Sequence, residues 1–501
     1  MNFYKNNENL VILLLMVITL FSVFQTSDEI IKSDFGFKKG IKYPKSIMDH
    51  DPILIDGNED LASFTKIEGL MGNGSLSSPY IIQNFFISPV NSNGIEVRST
   101  NAYLIIKKCT IKGNGGGDRL SLNNSGIFLY NSTNVNVVNN SLINNQNGIH
   151  LISSNNNTLK RNSVVYNNHH GIYLFSSSNN SISWNNASGN HYYGIHLASS
   201  SNKNLISYNN ASYHKDYGIY LYKSSNYNIL TGNTASWNED HGIHLRSSSY
   251  NSLDKNVANH NENNGIYLIS SHNNTLTRNS VGFSQDHGIR LSYSDNNSIS
   301  QSKVDYNEFG VLLFWSEWNI LFQNTVNYNN DSGIWLLYWS NNNLLTRNIV
   351  NRNFKSGFSA HSSCNNTLSG NIVTNNQDYG IQLTFDSRVN LIYQNEIYGN
   401  INGQAFEDES SNENLWDNGT IGNFWGSYYL NGYPSAKNDG FIWNTPCEID
   451  GPGDGIDHFP LVDPRTSTTY TATTSAWTLL MISLSIIAII AFRKLRLRTS
   501  Y

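Results

Sequence analysis

A glycine returns every 22 to 24 residues from Gly126 to Gly403, and this period limits the fold more than any other feature of the sequence. Glycines stand at 94, 126, 148, 171, 194, 218, 242, 265, 288, 310, 333, 357, 380 and 403. Most are followed by Ile, a variable residue and Leu, as in GIHL at Gly148, GIYL at Gly171 and GIWL at Gly333. Such alternation marks a short half-buried strand. A serine or a substitute follows six residues after the glycine. An asparagine then stands fourteen residues before the next one, at Asn157, Asn180, Asn204, Asn228, Asn251, Asn274, Asn319, Asn343 and Asn366. With no helical periodicity, a unit this short cannot bury its own apolar face and must stack on its neighbours. The expected fold is all-β, a single-stranded parallel β-helix of about 13–14 coils rising roughly 4.8 Å per coil. Stacked Asn amides then form a structural ladder, bonding to the Asn above and below.

The ends differ from the repeat. Leu10 to Phe24 is an apolar run after a Lys, which reads as a signal peptide or an N-terminal anchor over residues 1–26. At the far end a Ser/Thr-rich stalk (466–475) precedes an apolar stretch (476–492) expected to be a transmembrane helix. A basic tail (493–501) with Arg493, Lys494, Arg496 and Arg498 follows, and its charge places it in the cytoplasm. Between them lie a cap and entry segment (27–90), the repeats (91–415) and an Asp/Gly-rich C-terminal cap (416–465). The expected location is therefore a single-pass protein of the cell membrane with its β-helix outside.

Formal charge is −5, and without the four cations of the tail it is 28 − 37 = −9. An acidic body disfavours nucleic acid as a partner. Cys109, Cys364 and Cys447 show neither C-x-x-C spacing nor an even count, so neither a disulfide framework nor a zinc knuckle is expected.

The repeat phrase resembles the right-handed parallel β-helix repeats of the NosD-like group, which is classed with carbohydrate-binding and sugar-hydrolase β-helices of the pectin lyase fold. The likeness extends from about Pro52 to Val462. PILIDGNEDLASF with SSPYIIQNFFIS resembles the entry segment of such proteins, and GNFWGSYYLNGYPSAKNDGFIWNTPCEIDGPGDGIDHFPLV their closing segment. The resemblance implies a right-handed coil. It leaves function open, because these repeats occur in lyases, hydrolases, epimerases, adhesins and accessory proteins.

Columns not dictated by packing carry the functional expectations. Two residues after the glycine stand Tyr173, His196, Tyr220, His244, Tyr267 and Trp335, and five before it stand Tyr213 and Trp237. These rings are the candidate ligand-binding residues. Beside them an acidic column includes Asp216, Asp240, Asp286 and Glu308, so that DHGIHL at Asp240 and DHGIRL at Asp286 are crossings of the two columns. Rings next to carboxylates suit a polysaccharide, and the leading expectation is a surface module that binds a glycan or an unidentified protein partner. The same carboxylates, with Arg290, are the candidates for a polysaccharide lyase or glycoside hydrolase, although no pair stands apart. No match to the paired-aspartate and Gly-His-Gly motifs of polygalacturonase-like hydrolases is present. The resemblance adds a third reading, an accessory role in maturing a copper enzyme; all five Met lie outside the coils. Asp450, Asp454 and Asp457 in EIDGPGDGIDHF are candidate ligands for calcium, with a capping turn as the alternative.

Overall fold

The computed structural model describes residues 48–114, 124–426, 428 and 433–462. The expected signal segment, stalk, transmembrane helix and basic tail lie outside these residues. Among the described residues no helix is long and apolar enough to cross a membrane.

These residues form a right-handed parallel β-helix of about 14 turns. Three faces run along it. The first sheet has 15 strands, from Ile53–Asp56 to Gly403–Glu407, and the second has 14, from Tyr80–Gln83 to Leu391–Tyr393. The third face is built of blocks of 5 and 8 strands. Between these blocks the backbone pairing on this face narrows to single bridges at Asn186, Asn210 and Thr234. Strands pair in phase with the repeat, so that Ile149, Ile172, Ile195, Ile219 and Ile243 lie in line. The solenoid already begins within the entry segment, where Ile53–Asp56 pairs with Ile95–Arg98. One helix, Asn58–Ile67, packs its buried Leu61 at that end.

Inward Ile, Leu and Val are fully buried along the shaft. The corners are held by buried polar columns. Asn204 donates from Nδ2 to Asn228 Oδ1 at 3.1 Å and Asn228 donates to Asn251 Oδ1 at 3.2 Å. Two further Asn columns run parallel to this one, through Asn185, Asn209, Asn233 and Asn256, and through Asn307, Asn329 and Asn353. Immediately before each ladder residue the backbone takes positive φ, as at Arg161, Tyr166, Trp237 and Trp339. This bend turns the chain around the corner and leaves the preceding side chain outside. The repeat glycine has a different cause, close approach: a Cβ on Gly242 would lie 2.6 Å from the carbonyl oxygen of Gly265 in the next coil.

Candidate functional site

The ring column two residues after the glycine points away from the shaft, but it is not open to solvent. His150, Tyr173, His196, Tyr220, His244 and Tyr267 stack in sequence with centroids 4.7 to 5.0 Å apart. A second stack from the residue before the glycine, His170, Tyr193, Tyr217 and His241, lies against it, with spacings of 4.7 to 5.1 Å. The two stacks meet edge to face, as in Tyr193 on Tyr220 at 5.2 Å and Tyr217 on His244 at 4.7 Å. His196, Tyr220 and His244 are buried as a result, while Tyr173 and Tyr267 are half-buried. The expectation that this column forms an accessible strip is therefore corrected: the alternating Ile-x-Leu pattern shows only that a residue leaves the shaft, and a neighbouring column covers it. Trp335 stands further along, 5.9 Å from Phe309.

Burial fixes the charge of the histidines. It pushes His150 and His196 down to about 3, with His169 adding a second, like-charge contribution. His170 and His244 are held well below the ordinary value for the same first reason. Both ring nitrogens of His150, His196 and His244 are without a hydrogen-bond partner. They act as apolar rings that happen to contain nitrogen.

The two nearly identical phrases DHGIHL and DHGIRL have opposite electrostatics. His241 Nδ1 accepts from the backbone N–H of Asn264 at 3.2 Å and also faces Asp240 Oδ1 at 3.0 Å. Two acceptors thus meet unless the carboxyl carries a proton. Burial raises Asp240 to about 6, and the nearby Asp216 adds to the rise. At the other copy His287 Nδ1 faces two acceptors, Asp286 Oδ1 at 2.7 Å and Asn264 Oδ1 at 3.2 Å, so that nitrogen bears the proton. Partial burial pulls Asp286 upward, but the His287 bond and charge, with Arg290 at 3.9 Å, hold it below the usual carboxylate range. Asp216 is raised, chiefly by burial. Glu308 leaves the Asp column: its coil is one residue shorter, so Glu308 directly follows ladder residue Asn307, as Glu239 follows Asn238 and Glu262 follows Asn261.

Among the candidate ligand-binding rings, the exposed ones are those five residues before the glycine. Tyr213 and Trp237 are 55% and 51% exposed. Trp237, His260, Phe283, Tyr306 and Tyr328 continue the ladder with centroids 4.0 to 5.1 Å apart and planes within 9°. Tyr306 escapes the sequence pattern because the short coil puts it four residues before Gly310, not five. Arg352 closes the ladder over the Tyr328 ring at 5.4 Å. Beside the ladder runs an open groove of about 220 Å³ lined by Trp237, Glu239, His260, Glu262, Phe283 and Gln285, among others. Ring edges form one wall and acceptor side chains the other.

The three aspartates of the closing segment do not converge. Asp457 is fully buried; its Oδ2 accepts from Asn423 N–H at 2.7 Å and Trp425 Nε1–H at 2.8 Å, and its Oδ1 accepts from Phe459 N–H at 3.0 Å. It ties the cap to the last coil and faces away from solvent, which corrects its place in a calcium loop. Among the described residues no three His, Cys, Asp or Glu side chains are arranged to hold a metal.

The coil, its ladders and its decorated corners define a right-handed parallel β-helix protein. A family model described as right handed beta helix region matches residues 200–350, 259–400 and 336–421, and one described as periplasmic copper-binding protein (NosD) matches residues 74–230. With the right-handed coil, these matches support a NosD-like β-helix family of the pectin lyase fold for the chain. No curated protein matches it. Similar solved structures include the A-module of the Azotobacter vinelandii mannuronan C-5 epimerase AlgE6, at 13% identity over 71% of this chain and 92% of that one, with a TM-score of 0.38. The periplasmic alginate epimerase AlgG is 16% identical over 74% of this chain and 84% of its own, with a TM-score of 0.34. The catalytic domain of a GH87 alpha-1,3-glucanase is 15% identical over 65% and 66%, with a TM-score of 0.35. Likeness at this level is one of fold.

Proposed function

We propose that this β-helix binds an extended, neutral polysaccharide along the corner that carries the exposed ring ladder, outside the cytoplasm and anchored to the membrane by residues 476–492. The observation that supports this is the groove between Trp237, His260 and Phe283 on one side and Glu239, Glu262 and Gln285 on the other. Because the rings lie face to face, they present their edges to the groove. The carboxylates and the amide accept hydrogens from sugar hydroxyls. The wall repeats at roughly the 4.8 Å spacing of the strands, which suits a polymer lying along the coil. A row of carboxylates repels a polyuronate and favours an uncharged glycan.

The test is binding of the full chain to an array of neutral and acidic polysaccharides, with calcium and with a chelator. Trp237→Ala with Glu262→Gln is expected to weaken binding to neutral glycans by about tenfold to thirtyfold. Wild-type affinity in that variant, or no binding to any glycan, overturns the reading. A glycan-cleaving reading is favoured by Asp240 alone, a carboxyl raised to about 6 beside Asp216. Release of reducing ends by the wild type that is lost in Asp240→Asn would establish it. The copper-accessory reading draws on the family match over residues 74–230. In that stretch the buried His150, His170 and His196 pack as rings against rings.

A further inference from the structure

The repeat provides its own control at a different corner, where each coil leaves the first sheet. The residue immediately before the buried serine column is Ser153, Ser176, Ser200, Ser224, Ser247 and Ser270 in six successive coils. In the next three coils it is Tyr293, Trp315 and Trp339, and in the coil after that Ser362. All ten have positive φ between 48° and 63°; at Ser200, Ser224 and Trp339 the residue before (Ser199, Lys223 or Tyr338) is also at positive φ, so serine occupies both the one-residue bend of Tyr293 and Trp315 and the two-residue bend of Trp339. Serine therefore satisfies this position, and neither backbone geometry nor ladder packing calls for a large ring.

The rings are also arranged differently from those of the groove. Tyr293 to Trp315 is 6.3 Å and Trp315 to Trp339 is 6.1 Å, with planes tilted by 25° and 23°. Such spacing leaves parts of the faces uncovered, and Trp315 and Trp339 are 42% and 61% exposed. Two residues beyond these rings the same coils carry acceptors. Asp295 Oδ1 accepts from the Glu317 N–H at 2.8 Å and its other oxygen lies 3.4 Å from His272 Nδ1, while Glu317 Oε1 accepts from Asn341 Nδ2 at 3.1 Å. These bonds hold the carboxylates in place before any ligand arrives.

We propose that the corner carrying Tyr293, Trp315 and Trp339 is a second, independent sugar-binding site that takes one or two pyranose rings of a neutral glycan. Partly uncovered tryptophan faces meet the C–H face of a pyranose, and Asp295 and Glu317 accept its hydroxyl hydrogens. The carboxylates oppose an anionic lipid surface or a polyuronate. A second copy of the chain is a poor occupant: three half-exposed rings offer on the order of 300 Å², against roughly 800 Å² per partner in a stable interface. The proposal does not rest on the groove, and the two sites are separable by mutation.

The test uses calorimetric titration of the full chain with cellohexaose, mannohexaose and chitohexaose, with hexagalacturonate as the anionic comparison. The variant is Tyr293→Ser with Trp315→Ser and Trp339→Ser, which installs the repeat's own residue in each coil. The expected result is an unchanged melting temperature with a loss of about tenfold or more in affinity for one neutral hexasaccharide, while Trp237→Ala leaves that component intact. Four results overturn the proposal: no neutral hexasaccharide binding, unchanged affinity in the triple variant, a marked fall in its melting temperature, or self-association of the wild type that the triple variant abolishes. The third would make the rings packing groups and the fourth a contact between copies.

Discussion

Acid should unfold the coils that carry the double ring stack well before it protonates most carboxylates. Burial pushes His150, His196 and His241 down to about 3 and His214 down to about 4, whereas in the unfolded chain each titrates near 6.5. A group with a depressed folded pKa takes up protons more readily when unfolded. Its stabilising contribution is complete above 6.5 and is lost as pH falls from there toward 3. Between pH 7 and pH 5, one histidine shifted from 6.5 to about 3 costs about 2 kcal/mol of stability, and four cost about 8 kcal/mol. Asp240 and Asp457, both raised to about 6, act in the opposite direction, because they hold protons more tightly when folded. With Asp240 discounted for its partial exposure, the two return about 2 kcal/mol over the same interval. The net loss of about 6 kcal/mol is comparable with the whole stability of many domains. Urea melts of the full chain followed by circular dichroism at pH 7 and pH 5 measure it. His150→Phe with His196→Phe should recover about 4 kcal/mol at pH 5, since Phe128 already occupies the same column. Equal stability of the wild type at both pH values, or an undiminished acid loss in the double variant, would refute the reasoning.

Other perturbations address the scaffold. Asn228→Ala removes an oxygen that accepts from both the backbone and the amide of Asn204, at 2.8 and 3.1 Å, and leaves those donors buried; a loss of about 2 to 4 kcal/mol is expected in urea melts, and less than about 0.5 kcal/mol would contradict it. Asp457→Ala strips three hydrogen bonds from the C-terminal cap, so hydrogen exchange should accelerate first in the coils next to residue 423, and uniform acceleration along the rod would count against a local capping role. Gly242→Ala forces a Cβ to 2.6 Å from the Gly265 carbonyl oxygen and should lower stability by about 1 to 3 kcal/mol, whereas a neutral effect would show that the coil spacing relaxes freely.

Much of the scaffold was legible because stacking forces a single register on every coil. The Gly-Ile-x-Leu phrase and the Asn fourteen residues before the next glycine recur as strand and ladder from Asn157 to Asn366. The third face, narrowed to single bridges at Asn186, Asn210 and Thr234, was not legible, since Asn-Ala and Thr-Ala pairs there still resemble strand positions. The site was legible only in part. Alternation tells which residues leave the shaft, but whether His196 or Tyr220 meets water depends on the rings of Tyr193 and Tyr217 from a different column, on the same coil and on its neighbour. Glu308 was placed in the wrong column and Tyr306 was missed because positions were counted from the glycine. The structure keeps register at the preceding ladder Asn, and the missing residue of that coil falls between Asn307 and Gly310.

A repeat protein invites the inference that whatever recurs is structural and whatever deviates is functional, and this chain shows where that inference holds. The inner rings deviate freely between His and Tyr, yet the ring nitrogens of His150, His196 and His244 are buried within a packed double stack, so the variation reflects exchangeable ring shapes. The corner before the serine column behaves in the opposite way. Six coils show that serine is sufficient at this backbone bend in both its one-residue and its two-residue form, and three adjacent coils then place Tyr293, Trp315 and Trp339 there, half in water, beside carboxylates already held by hydrogen bonds. Removing the inner rings should cost stability, whereas replacing the corner rings with serine should cost only binding. The difference between those two outcomes separates a packing column from a binding column on the same coil.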